Sequence, residues 1–407
     1  MKIGDMKRLS VLWIGVSALL VAALPLLAQT PDPHHIYAYP PIQRANGPQN
    51  PDTPIGIVPA QFKAAYGFNR IPNQGQGQTI ALVDAYDDPN IASDLAVYQA
   101  EFHLVPCNFQ KVEIGNPAAS DYWALEISLD VEQACALAPQ ANIILVEATT
   151  DSFADLLAAV QLASSAPYNA TVVSMSWGGQ EFNGEQGFDS FFCNIVAGNG
   201  QPVTFVAASG DVGHSLTLYP STSPCAIAAG GTTLVLSTAA PLANPLQLNY
   251  GAETAWFDSG GGISPYEAQP SFQDPACATW STRNRCVPDV SSDANPATGV
   301  AVYDTYDDSG WIRVGGTSLA TPDWASLFTL VNSQRAAQGK GTLSQAHQDL
   351  YTIYYSSNYL TDFHDNTSGD NGNCGSECDA GPGYDLVTGI GTYQASNLAP
   401  ALVAEPD

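Results

Sequence analysis

The chain has 407 residues, 45% of them hydrophobic and only 13% charged, with a formal net charge of −27 at pH 7. That composition excludes global disorder, and the sign of the charge argues against nucleic acid and anionic membranes as partners. With so few Lys and Arg, the surface suits an acidic milieu, because near about pH 4 the carboxylates approach their intrinsic pKa and little positive self-repulsion builds up.

At the N-terminus, Lys2, Lys7 and Arg8 precede an apolar run over residues 9–27, broken by Pro25 and ended by Ala28-Gln29. This is the order of a secretory signal with cleavage after Ala28. A run of this length could also stay in place as a membrane anchor, but Pro25 and the small residue at Ala28 favour the signal. No second such stretch follows, so the mature chain is expected to be secreted and free of the membrane. All eight cysteines lie beyond it, and an even number in an exported chain points to disulfides. Short separations pair Cys277 with Cys286 and Cys374 with Cys378; the pairing among Cys107, Cys135, Cys193 and Cys225 stays open. No His stands at zinc-ligand spacing from either short pair.

Residues 29–57, rich in Pro, Asn and Gln without an apolar period, read as an exposed leader or linker. Order is expected to begin near Val58. Strand patterns over 79–84, 111–114, 142–148, 171–176 and 203–208 alternate with helical ones over 90–103, 122–137, 152–164 and 188–197. Apolar strands separated by helices call for a parallel, doubly wound α/β sheet covered on both faces. Beyond Ala229, loops and short polar strands run to about Gly316, in the manner of surface hairpins and cleft walls. A helix then follows from Ser318 to about Gln338, and a single domain is assigned to residues 58–400.

Three segments carry candidate chemistry. Gly315-Gly316-Thr317-Ser318-Leu319-Ala320-Thr321-Pro322 delivers a Ser at a helix start, where backbone N–H groups favour developing negative charge. A plain N-cap Ser would look similar. Glu126 and Asp130 lie four positions apart on a helix whose neighbours are apolar, so they share one face at about 5–6 Å between Cβ atoms. Two like charges there are costly unless the pair holds a proton, which makes it a candidate acid/base unit; a solvated acidic face is the alternative. Ser209-Gly210-Asp211 ends an apolar strand, and a carboxyl kept protonated there could donate to an oxyanion, although Asp is also common in turns. The six histidines, His34, His35, His103, His214, His347 and His364, include none in a Gly-rich, helix-opening segment, which disfavours a Ser-His-Asp arrangement.

Together these residues resemble the sedolisin family, the serine-carboxyl peptidases, over residues 58–397. The family combines an E-x-x-x-D helix, an S-G-D turn and a G-T-S-x-x-T-P turn in this order on a subtilisin-like α/β fold. The resemblance implies an endopeptidase in which Ser318 is the nucleophile, Glu126 the general base, Asp130 its orienting partner and Asp211 an oxyanion donor. It further implies that Ser176, Trp177 and Gly178 line the substrate-pairing strand, with Asp84 behind the proton-carrying pair. Asp362-Phe363-His364-Asp365-Asn366 and Ala380-Gly381-Pro382-Gly383-Tyr384-Asp385 resemble the family's calcium loop, with Asp365 and Asp385 giving side chains and Asn366, Gly381 and Gly383 carbonyls to one Ca²⁺. Protein or peptide substrates and a monomeric state are expected. Sedolisins usually carry a long prodomain, and only residues 29–57 could serve here, so the chain from Gln29 is expected to fold without a separate one. An inactive binding module on the same scaffold is the alternative, and retention of all four residues speaks against it.

Overall fold

The computed structural model describes residues 32–47, 50–237, 249–306 and 308–406. The segment read as a secretory signal lies outside them. No helix among the described residues is long and apolar enough to cross a membrane.

A mostly parallel central sheet organises the chain. From one edge to the other its strands are Asn249–Ala255, Ile227–Ser237, Thr204–Ala208, Val172–Met175, Thr79–Ala85, Asn142–Ala148 and Asn108–Glu113, with Val290–Asp293 also paired to Ile227–Ser237. Only Asn249–Ala255 runs antiparallel to its neighbour. The inner strands are buried along their length, which is why they read as continuous apolar runs rather than alternating ones. The helices Ile91–Glu101, Asp121–Leu137, Phe153–Ser164 and Thr317–Ala337 cover the sheet. This is the doubly wound α/β architecture that the alternation predicts.

Three expectations need correction. The helix expected over 188–197 is a 3-10 segment, Glu185–Phe191, followed by loop. Phe188 and Phe192 supply the apolar spacing, but Asn194 takes a positive φ and Cys193 is tied to Cys225, which ends any helical run. Strand Ile227–Ser237 extends beyond Ala229 as part of the central sheet, because Gly230 and Gly231 leave room for Pro288 and Trp256 to pack against its backbone. Residues 36–47 and 50–57, read as part of an exposed leader, instead lie along the domain: Ala38, Pro40 and Pro41 are buried and Gln43–Arg44 forms a strand against Gly310–Gly315. Pro at 40 and 41 holds that stretch extended, so it reads as linker in sequence yet fits a groove in the fold.

The four disulfides, Cys107–Cys135, Cys193–Cys225, Cys277–Cys286 and Cys374–Cys378, use every cysteine. They include both short pairs expected, and they suit an oxidising compartment.

Candidate active site

The carboxyl ends of the parallel strands converge on one cleft, where an open α/β sheet places its ligands. Strand Thr79–Ala85 brings Asp84 there, Val172–Met175 leads into Ser176, Trp177 and Gly178, and Thr204–Ala208 leads into Ser209, Gly210 and Asp211. Helix Asp121–Leu137 lies behind them, buried from Trp123 onward despite carrying Glu126 and Asp130. Helix Thr317–Ala337 begins at the mouth and presents Ser318.

Gly316 makes that approach possible. Its φ is 109°, and a Cβ there would stand 2.8 Å from Asp211 Oδ2. The next residue latches Asp211 to the helix: the Thr317 N–H donates to Asp211 Oδ1 at 2.8 Å and its hydroxyl at 3.0 Å, while the Gly210 N–H donates to the Thr317 hydroxyl at 3.0 Å. Asp211 Oδ2 is buried without a protein partner. Burial pushes this carboxyl well above the usual range, against the Thr317 donors that favour its ionised form. Held this way, Oδ1 accepts and a protonated Oδ2 can donate.

Glu126, Asp130 and Ser318 are all fully buried. Burial raises Glu126 far above a normal carboxyl, reinforced by Asp130 and Asp84, while the adjacent Ser318 hydroxyl works in the opposite direction. Asp130 is raised by burial and by Asp84; it accepts a 2.8 Å bond from the Ser176 hydroxyl, which also lies 3.3 Å from the Ser318 carbonyl. Asp84, with both oxygens unpartnered, is pushed up to about 7 by burial. Three carboxyls in one dry pocket cannot all ionise, so they hold protons as a group. The Trp177 indole does not reach the Asp84 side chain: its N–H donates to the Val83 carbonyl at 2.8 Å, one residue earlier.

Residues 36–44, which carry no motif, cross this cleft. Tyr39 and Gly178 exchange main-chain bonds, Tyr39 N–H to Gly178 O at 2.9 Å and the reverse at 3.2 Å, and the Ser318 N–H donates to the Pro41 carbonyl at 3.1 Å. The Tyr122 hydroxyl donates to the Pro40 carbonyl at 3.0 Å. Neither this segment, Tyr122 nor the Thr317 latch is picked out by the sequence reading; the only local signal for the segment is Tyr-Pro-Pro, a stretch confined to extended backbone.

In the C-terminal loop, Asp365 accepts the Gly383 N–H at 3.1 Å and Asp385 accepts those of Gly381, Val387 and Thr388 at 2.8–3.0 Å. Burial raises Asp385 to about 6, and among the described residues no Lys or Arg pairs with either carboxylate. Two carboxylates enclosed without a counter-charge, beside Asn366, Gly381 and Gly383, fit a hard divalent cation. A second acidic cluster, Asp87, Glu113 and Glu147, could also hold a metal, but the Lys111 ammonium already stands among the three. His214 lies near Cys374 and Cys378, whose sulfurs are committed to each other.

Fold and cleft define an α/β protein of subtilisin-like architecture, with the buried carboxyls of Asp84, Glu126 and Asp130 grouped at the cleft that holds Ser318. The chain belongs to the subtilase family, whose profile matches residues 129–367. It is similar to kumamolisin from Bacillus sp. (strain MN-32), 30% identical over 86% of this chain and 64% of that one. It is 27% identical to sedolisin from Pseudomonas sp. (strain 101), over 85% of this chain and 61% of that protein. The chain thus spans a little over three fifths of the length of these relatives. A solved structure of the Pseudomonas sedolisin, a serine-carboxyl proteinase complexed with two molecules of pseudo-iodotyrostatin, superposes with a TM-score of 0.72 at 25% identity, covering 86% of this chain and 98% of that one.

Proposed function

We propose that this protein is a secreted, acid-acting serine-carboxyl endopeptidase. The observation that carries the reading is the junction of a buried Ser318, at a helix start, with Glu126 on one side and the unpartnered Oδ2 of Asp211 on the other. Ser318 Oγ attacks the peptide carbonyl and gives its proton to Glu126, which later returns it to the leaving amine. Asp130, braced by the Ser176 hydroxyl, orients Glu126, and Asp84 shares in the proton held behind the pair. The Ser318 N–H and a protonated Asp211 Oδ2 receive the oxyanion. Endopeptidase rather than tripeptidyl action is supported by the cleft itself: the extended segment in it continues two residues and more before Tyr39, with Tyr37 still paired to Ser152, so no wall closes the site three residues from Ser318.

Hydrolysis of an acid-denatured protein is expected to peak in acid and decline towards neutrality, because Asp211 donates only when protonated. Asp211→Asn offers the sharper test. Its amide oxygen can still accept from Thr317 while its nitrogen occupies the Oδ2 position and donates at any pH. It is expected to retain at least about tenfold more activity than Asp211→Ala, since a lost oxyanion donor typically costs about 10²–10³ in kcat, and to decline less steeply between pH 4 and 7. A wild-type profile that is flat or peaks near pH 8 would remove the acid mechanism.

We also assign one Ca²⁺ to Asp365 and Asp385 with the carbonyls of Asn366, Gly381 and Gly383; bound there, it would neutralise two buried carboxylates and tie the loop closed. Chelation is expected to lower the Tm, since a ligand at a hundredfold excess over its Kd stabilises by about 2.7 kcal/mol. Asp385→Ala should remove that sensitivity while leaving kcat intact at low temperature. Metal analysis showing no bound calcium, with a Tm indifferent to chelator, would overturn the assignment.

A further inference from the structure

The strand that borders the cleft has a second neighbour. Tyr39 pairs with Gly178, and the next two residues, Gly179–Gln180, pair antiparallel with Leu218–Tyr219. Leu218 packs against the backbone of both cleft loops: a Cβ at Gly178 would stand 3.0 Å from its Cβ, and one at Gly210 2.9 Å from its Cδ1. Carboxylates tie down this backing strand at both ends. Glu181 accepts the hydroxyls of Thr217 and Ser264, and Asp189 accepts those of Tyr219 at 3.2 Å and Ser223 at 2.7 Å. Each of the two meets a further carboxyl, Glu185 against Glu181 and Glu267 against Asp189. Glu185 is fully buried and Glu267 is 2% exposed, yet Glu185 Oε1 and Glu267 Oε1 find no donor among the described residues. Two carboxyl groups in contact have no hydrogen between them unless one carries a proton.

We propose that Glu185 and Glu267 are positioning residues for the substrate: each is held as the neutral acid and donates to the carboxylate beside it, and the two acid–carboxylate pairs lock the backing strand against residues 178–180, where a substrate chain pairs. The inference rests on the function proposed above. Burial pushes Glu185 up to about 10, with Glu181 adding to it and the Phe182 N–H, 2.7 Å from Oε2, working the other way. Burial likewise pushes Glu267 up to about 8, with Asp189 and Glu181 adding; Arg285 opposes this but is itself committed to Asp289. Tyr219 also faces the set, and burial together with Asp189 keeps its hydroxyl protonated. Through acid and up to neutrality both pairs therefore stay closed. In alkali both members of each pair ionise, repel and release the strand.

Steady-state kinetics of the full chain on an extended peptide in acid separates a proton donor from a carboxylate needed for its charge. Glu185→Met, of similar volume but without a donor, should raise KM by about fivefold or more with kcat little changed, the scale of one lost hydrogen bond. Glu185→Gln keeps an N–H for Glu181 and should recover most of that loss; the same contrast is expected at Glu267. Hydrogen exchange needs no variant: corrected for the intrinsic rate, exchange at Gly179–Gln180 and Leu218–Tyr219 should stay slow from about pH 5 to 7 and quicken above about pH 8, ahead of the central strand Thr79–Ala85. Replacing Glu185 and Glu267 together by Gln should abolish that early rise. A KM that Met leaves unchanged or that Gln raises as much as Met, or exchange that follows the central strand at every pH, would overturn the proposal and leave the peptidase reading standing. Absence of hydrolysis by the unaltered protein at every pH, with the early rise in exchange still present, would overturn the peptidase reading and with it the positioning of a substrate.

Discussion

Replacing Ser318 with Ala is expected to abolish peptide hydrolysis, by at least about 10⁴-fold in kcat, while the Tm changes little. Loss of a nucleophile removes the covalent route altogether, and what remains is the catalysis that binding and oxyanion donors provide on their own. The fold should tolerate the change, because the Ser318 hydroxyl interacts with Glu126 of the site rather than with the scaffold, and Ala suits the first turn of the Thr317–Ala337 helix. Glu126→Gln should be milder, about 10²–10⁴-fold, since it preserves shape but cannot take the Ser318 proton. Measuring kcat/KM for both variants, with mass spectrometry of a trapped acyl-enzyme, separates this from the binding-module alternative. Wild-type rates in both variants would remove Ser318 and Glu126 from the chemistry, and absence of hydrolysis by the unaltered protein at every pH would place it in that other class.

The second large effect concerns stability, whose dependence on pH is expected to run opposite to ordinary acid denaturation. Glu126, Asp130, Asp211, Glu132 and Asp293 are all raised by burial, Asp84 to about 7 and Asp323 to about 8. A carboxyl whose folded pKa exceeds its unfolded value makes no difference below the unfolded value. It then destabilises progressively as pH rises towards the folded one, because the unfolded chain ionises first. Each unit corresponds to about 1.4 kcal/mol, so Asp323, fully buried, alone costs on the order of 5 kcal/mol once the pH has passed 8. Several such groups acting together should lower the Tm by roughly 10 °C or more between pH 4 and pH 8. Asp289 behaves oppositely: the buried Arg285 beside it, 2.5 Å away, holds it well below the carboxylate range, so its contribution is lost only in strong acid. Calorimetry across this range decides the matter, and a Tm that rose steadily from pH 4 to 8 would mean that the buried carboxyls carry no protons.

Much of the architecture was legible without coordinates because it is local or periodic. The alternation of buried apolar strands with helices dictates a doubly wound sheet, and the short cysteine separations already favoured two of the four disulfides. The candidate site was legible for another reason: Glu126 and Asp130 are fixed relative to each other by helical spacing, and Ser318 by the Gly-rich turn before it. Sequence could bring these together with Asp211 only through their likeness to a known set, since nothing in residue spacing tells which strand ends will be neighbours. The tertiary structure alone decided how deeply the carboxyls are buried, that Thr317 latches Asp211 through its Oδ1, and that Trp177 bonds to Val83 rather than to Asp84. It also decided the fate of residues 36–44. Their composition gives no sign of order, because an extended Pro-rich stretch gains its hydrogen bonds from Gly178, Ser318 and Val314, partners 139 to 277 residues away along the chain by the numbering. Such a segment has no local preference to read; its place is set wholly by the groove that the rest of the chain forms.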